Sequence, residues 1–77
     1  MIVTLHLDEA RWERDIKVNR EQKIRETLWI LVDAGVLPAD TLQKMQTVFS
    51  ERQGICIDPE QTYQQAEVYQ GDILHIR

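Results

Sequence analysis

One segment of this chain stands out for apolar residues at helical spacing, and its core stripe lies on one side. Over about residues 20–34, Ile24, Leu28, Leu31 and Gly35 recur at the period of an α-helix, with Thr27 and Val32 on the flanks. A helix cannot hide such a core stripe by itself, so it must lie on another surface. Asn19 stands where an N-cap belongs, and Gln22 follows it in capping-box spacing. Gly35 suits the C′ position, and Pro38 ends the helix soon after.

The remaining apolar residues come in short alternating runs that read as strands. Val3, Leu5 and Leu7 alternate with Thr4 and His6, which predicts a strand with one buried face. Trp12–Val18 alternates again, with Ile16 and Val18 on the apolar side and Arg14 breaking the face. Asp8–Arg11 is a short polar link, so the two runs predict an antiparallel hairpin. After the helix, Pro38–Lys44 reads as a connector. Met45–Ser50 contains the strand formers Val48 and Phe49, and the pattern leaves open which of them faces inward. Glu51–Gly54 is a turn and Ile55–Ile57 a short strand stopped by Asp58-Pro59. Pro59–Tyr69 has no clear period and reads as a packed loop anchored by Tyr63 and Val68. Gln70–Asp72 forms a turn in which Gly71 can supply positive φ, and Ile73–Arg77 is the last strand, with Leu74 and Ile76 facing the core. The order is β-β-α-β-β-β. It predicts an α+β domain over residues 1–77, with one helix packed on one face of a mixed five-stranded sheet and the other face open to water.

Composition narrows the function classes. A chain of 77 residues hides only about 60% of the surface its unfolded form exposes. That leaves one thin core and little material for a deep cleft. Nine basic residues are scattered among thirteen acidic ones, for a net charge of −4. Nucleic-acid binding needs clustered Lys and Arg, so nucleic acid is not an expected partner. No run approaches the roughly 20 apolar residues of a membrane span, and the alternating amino-terminal run is not a signal peptide. A soluble, cytoplasmic protein without direct membrane insertion is expected. Cys56 is the single cysteine, so no disulfide forms within the chain; between Ile55 and Ile57 it reads as a buried structural thiol. The sequence has no Gly-rich phosphate loop, zinc-ligand spacing or nucleophile elbow. The chain is therefore not expected to be an enzyme, and no catalytic residue, cofactor or metal is expected.

The opening strand Met1–Leu7, the hairpin, the helix and the closing Leu74-His75-Ile76 fall where ubiquitin and its β-grasp relatives place them. More narrowly, Tyr63–Ile76, with Gly71-Asp72 before the last strand, resembles the small YukD/EsaB ubiquitin-like proteins of bacterial type VII secretion loci. The resemblance spans the chain. It implies a ubiquitin-like fold in which the first and last strands run parallel as central neighbours, and an open sheet face used for partners. Ubiquitin and the sulfur carriers act through a flexible Gly-Gly tail, whereas this sequence ends Ile76-Arg77 on the strand itself. Conjugation and sulfur transfer are accordingly not expected.

Two candidate docking patches follow from an apolar surplus over one thin core. On the sheet, His6 and His75 alternate away from their apolar neighbours and face solvent, joined by Ile2 and Ile73. If the first and last strands are neighbours, the two imidazoles stand side by side. Metal capture there would need further ligands, and Asp72 is not obviously placed to be one. Two solvated histidines are the plain reading, and of the functional readings a contact surface that titrates near neutral pH is stronger than metal capture; repulsion between protonated rings would weaken binding as pH falls through about 6.5. On the helix, Trp29, Val32 and Val36 form a second stripe rotated off the core stripe, unless the following connector covers them. Trp12, beside the hairpin turn, is a further anchor candidate. The sheet patch is favoured, because nothing else in the chain is left to cover it. The functional expectation is a non-conjugated ubiquitin-like adaptor that binds a protein of a type VII secretion system. The alternative is a ubiquitin-like scaffold or interaction domain from a larger membrane-associated protein.

Overall fold

Strand β1 (Ile2–Leu7) pairs antiparallel with β2 (Trp12–Lys17), register Ile2 opposite Lys17 and Leu7 opposite Trp12. The computed structural model describes residues 1–40, 43 and 47–77. After helix α1 (Ile24–Asp33) come β3 (Val48–Ser50), β4 (Ile55–Ile57) and β5 (Ile73–Ile76). They form one five-stranded sheet of order β2-β1-β5-β3-β4. β1 and β5 are parallel, and the other pairs are antiparallel. The result is an α+β fold of the β-grasp kind, with the helix over one face of a mixed sheet.

Alternation decides what each strand buries. Val3 and Leu5 on β1, Leu74 and Ile76 on β5 and Val48 on β3 are almost fully buried, and meet Ile24, Leu28 and Leu31 of the helix in one core. The β3 ambiguity is resolved: Val48 faces the core and Phe49 the open side. Ile16, on the edge strand β2, is only half-buried. Met45 and Gln46 of the predicted third strand, and Thr41, Leu42 and Lys44 of the connector, lie outside the described residues.

The helix ends as expected. Gly35 has φ +74°, its N–H donates to the Val32 carbonyl at 3.0 Å, and the Val36 N–H donates to the Leu31 carbonyl at 2.9 Å. This is the paired-bond termination that a left-handed C′ residue permits. The start differs. Asn19 does not cap the helix: its Oδ1 accepts from the Glu21 N–H at 2.9 Å and its carbonyl from the Gln22 N–H at 3.0 Å, which closes a turn of its own. Lys23 is extended, and the helix opens at Ile24 without a side-chain cap. Its first N–H groups are satisfied from across the molecule instead. Ile24 donates to the Gln61 carbonyl at 3.1 Å and Arg25 to the Pro59 carbonyl at 2.9 Å. The 59–62 loop thus supplies the cap, beside an Arg25–Glu60 ion pair.

That loop also fills the core. Tyr63, Ala66 and Val68 are buried, and the Tyr63 hydroxyl donates to Thr27 Oγ1 of the helix at 2.8 Å. Burial pushes the Tyr63 pKa up to about 12, against the opposing pull of the Thr27 bond. Asp72, in the turn before β5, is also buried. It accepts from the Arg52 Nε at 2.8 Å and the Tyr69 N–H at 2.9 Å.

Two predictions separate the packing and polar parts of this core. Leu28→Ala should destabilise the fold by about 2–5 kcal/mol in chemical denaturation, the usual range for a buried leucine. Tyr63→Phe, which removes one buried hydrogen bond and little volume, should cost about 0.5–1.5 kcal/mol. A Leu28→Ala loss under about 0.5 kcal/mol would place the wrong helix face on the sheet.

Candidate functional site: the open sheet face

The face opposite the helix is built by strand register. In one row across the sheet, Glu13 lies opposite His6, His6 opposite His75, His75 opposite Phe49, and Phe49 opposite Cys56. In the next row Asp15, Thr4 and Ile73 align, and Ile2 lies beside Lys17. All four residues of the expected sheet patch therefore share this face. Ile2 is exposed, and His6, Ile73 and His75 are half-buried.

The histidines are not two solvated rings. Their centroids are 5.0 Å apart, and both direct Nδ1 at the same oxygen, Asp8 Oδ1, at 2.7 Å for His6 and 2.9 Å for His75. Asp8 follows His6 by two residues and so continues the period of β1 onto the same side, just past the strand end. Its other oxygen, Oδ2, accepts from the Arg77 Nε at 2.8 Å. The second ring nitrogen of His75 meets Glu51 Oε2 at 2.7 Å. Phe49 closes the cluster, with the Arg77 guanidinium 4.3 Å over its ring.

The charges settle one another. Asp8 is held well below the usual carboxylate range, chiefly by the His75 hydrogen bond, with Arg77 and His6 adding to it and burial opposing. His75 is pushed above the ordinary histidine value by its bond to Asp8 and then by Glu51. A carboxylate sits between the rings, so protonating His75 completes an ion pair that offsets the expected repulsion.

Other sequence expectations are corrected here. Cys56 is exposed, not buried, because β4 is the sheet edge and Cys56 lies on the open side opposite Phe49. The helix stripe does not stand as one patch. Trp29 is exposed, whereas Val32 and Val36 are half-buried against the core, and the exposed neighbour of Trp29 is Ile30. Trp12 is half-buried and packs against the core, not outward as an anchor. Asp72, in keeping with the expectation that it is not placed beside the histidines, pairs with Arg52.

Asp8, Glu51, Phe49 and Arg77 were not anticipated as parts of this site. The signal was present as period two: Asp8 after His6, Arg77 after His75 and Glu51 after Phe49 each continue a strand's outward side. Reading turn residues as turns hid it. Among the described residues, His6, Asp8 and His75 are the set with metal-ligand chemistry in mutual reach, one donor atom from each lying within 4.8 Å of the others. No helix of the described residues is long and apolar enough to cross a membrane. No protein-family model matches this chain, and no curated protein matches it.

The cluster gives stability a pH signature. The raised His75 pKa means its contribution is complete below about 6.5, its unfolded value, and is lost as pH rises through the higher folded value. The lowered Asp8 pKa means its contribution is present above about 3.9 and is lost as pH falls through the lower folded value. In denaturation experiments with chelator present, wild type should exceed Asp8→Asn most between about pH 4 and 6.5, and the margin should shrink toward about pH 9. A margin that stays constant across that range would rule the linkage out.

Proposed function

We propose that this chain is a ubiquitin-like adaptor that binds a protein partner through its open sheet face. The observation that carries this reading is the face itself. β1, β5 and β3 form its middle, and the helix and the 59–69 loop pack on the other side. Ile2 at 44% exposure and half-buried Ile73 and Phe49 surround a ring of paired charges formed by His6, Asp8, Glu51, His75 and Arg77. A mixed apolar and charged surface with fixed side chains suits protein recognition, because little side-chain entropy is left to lose. On the helix side Trp29 and Ile30 are exposed, but Val32 and Val36 of the expected stripe are half-buried against the core. The type VII secretion context and the cytoplasmic location rest on the resemblance of Tyr63–Ile76 to the YukD/EsaB proteins. In that context the partner is the cytoplasmic part of a membrane component of the machine.

Burial of an isoleucine at an interface is worth on the order of 1.5–3 kcal/mol before association costs. Ile73→Asp should therefore weaken partner capture by roughly tenfold or more, while Trp29→Asp leaves it intact, each variant first shown to be folded. The measurement is a pull-down from the native host followed by direct titration of the recovered protein. Recovery of a secretion component lost only in Ile73→Asp is the expected result. Loss only in Trp29→Asp moves the docking surface to the helix. A partner unconnected with secretion replaces the type VII reading with that of a general scaffold domain.

A further inference from the structure

We propose that His6, Asp8 and His75 form a binding site for a divalent transition-metal ion of the zinc class. The donor set is two imidazole nitrogens and one carboxylate oxygen. That combination suits zinc, cobalt, nickel and copper, and does not suit calcium or magnesium, which take oxygen ligands.

Geometry is the first support. His6 and His75 sit in register on the two central parallel strands, so backbone ladders on both sides fix their separation. Both present Nδ1 to Asp8 Oδ1, at 2.7 and 2.9 Å, and one donor atom from each of the three residues lies within 4.8 Å of the others. At metal–ligand distances of about 2.0–2.2 Å, a tetrahedral ion sets its donors about 3.3 Å apart. Reaching that spacing requires the two short contacts to open by a few tenths of an ångström and the two imidazole donors, within 4.8 Å of each other, to close to the same separation. Side-chain rotation at three partly exposed residues supplies such a change without moving the sheet. The ion would take the place of the shared protons that now join the rings to the carboxylate.

The outer partners are the second and more specific support. Each of two ligands has its non-ligating atom already held. Glu51 Oε2 faces the Nε2 of His75 at 2.7 Å, the carboxylate–histidine arrangement that would hold the ring with Nδ1 toward the ion once the ion has displaced the Nδ1 proton to solvent. Arg77 Nε holds Asp8 Oδ2 at 2.8 Å and leaves Oδ1 for the ion. Among the described residues of the cluster, Arg77 is the opposing charge. With neutral imidazoles, Asp8 and Glu51 outweigh it, so the pocket is net negative before the cation arrives. Three protein ligands leave a fourth position facing outward, open to water or to a donor from another molecule. The site stands independently of the adaptor reading, since it needs nothing but this chain.

The test is titration of the full chain, freed of metal with a chelator, with cobalt followed by zinc. The expected result is one equivalent of cobalt with a visible absorption band of low-symmetry coordination, bleached when zinc displaces it. His6→Ala, His75→Ala and Asp8→Asn should each weaken zinc binding at least tenfold by calorimetry. Glu51→Gln, which keeps all three ligands, should weaken it by roughly 10–100-fold. Cys56→Ser should leave it unchanged, which excludes the exposed thiol as the ligand. Histidine ring NMR on the wild type reads the same site without any substitution: zinc should shift both Nδ1 resonances. No saturable binding, equal binding by wild type and His6→Ala, or loss of binding in Cys56→Ser would each overturn the proposal.

Discussion

The parallel pairing of β1 with β5 is the contact on which the rest of this structure depends. It joins Thr4 to Ile73 and Leu7 to Ile76, close to opposite ends of the chain. Closing so long a loop costs chain entropy that the contacts of the pair must offset. On one face Leu5 meets Leu74, both buried under the helix. On the other His6 meets His75. Because side chains alternate, one register fixes both results: a one-residue slip would turn the leucines outward and the histidines into the core. The same register that makes the core therefore makes the site.

A second dependence runs through the 59–69 loop. It has no regular structure, yet it caps the helix with the Pro59 and Gln61 carbonyls and places Tyr63, Ala66 and Val68 in the core. In a domain this small, the helix stripe and the sheet alone leave space at one end of the core. The loop fills that space with an aromatic side chain whose hydroxyl is satisfied by Thr27. A buried hydroxyl without such a partner would carry the full desolvation penalty. The loop is thus part of the packing of the helix as well as the link into β5. Arg52, which bonds Asp72 and the Glu67 carbonyl, ties its far end to the β3–β4 turn.

The open face combines rigidity with exposure. The residues of its central cluster lie at or just past strand ends that the core holds in place, and they hold one another: Asp8 is held by three side chains, His75 by two, Arg77 by Asp8 and the Phe49 ring. Such a network is preorganised for recognition, because its side chains are already ordered. The adaptor and metal-site readings draw on this one property, since a surface that holds donors in fixed positions can present them to a protein or to an ion.

Local rules made much of this legible in the sequence. Period two in Val3–Leu7 and Ile73–Ile76 identified the strands and their inward sides, and the stripe Ile24–Leu28–Leu31 identified the helix and the face it buries. Gly35 marked the helix end because only a residue free to take positive φ makes that termination easily. These features depend on neighbours a few residues away. Tertiary structure decided the features whose partners are distant in sequence. The helix starts at Ile24 and not after Asn19 because its donors are met by a loop some 35 residues later. Cys56 is exposed because β4 falls at the sheet edge, and strand order is not written in β4 itself. Parallel neighbours β1 and β5 were implied by resemblance to ubiquitin-like folds, not by spacing. Asp8 becomes the hub of the outer face because that pairing brings His75 and Arg77 to it. Periodicity assigns a side chain to a face, whereas its neighbours on that face are fixed only when the chain closes on itself.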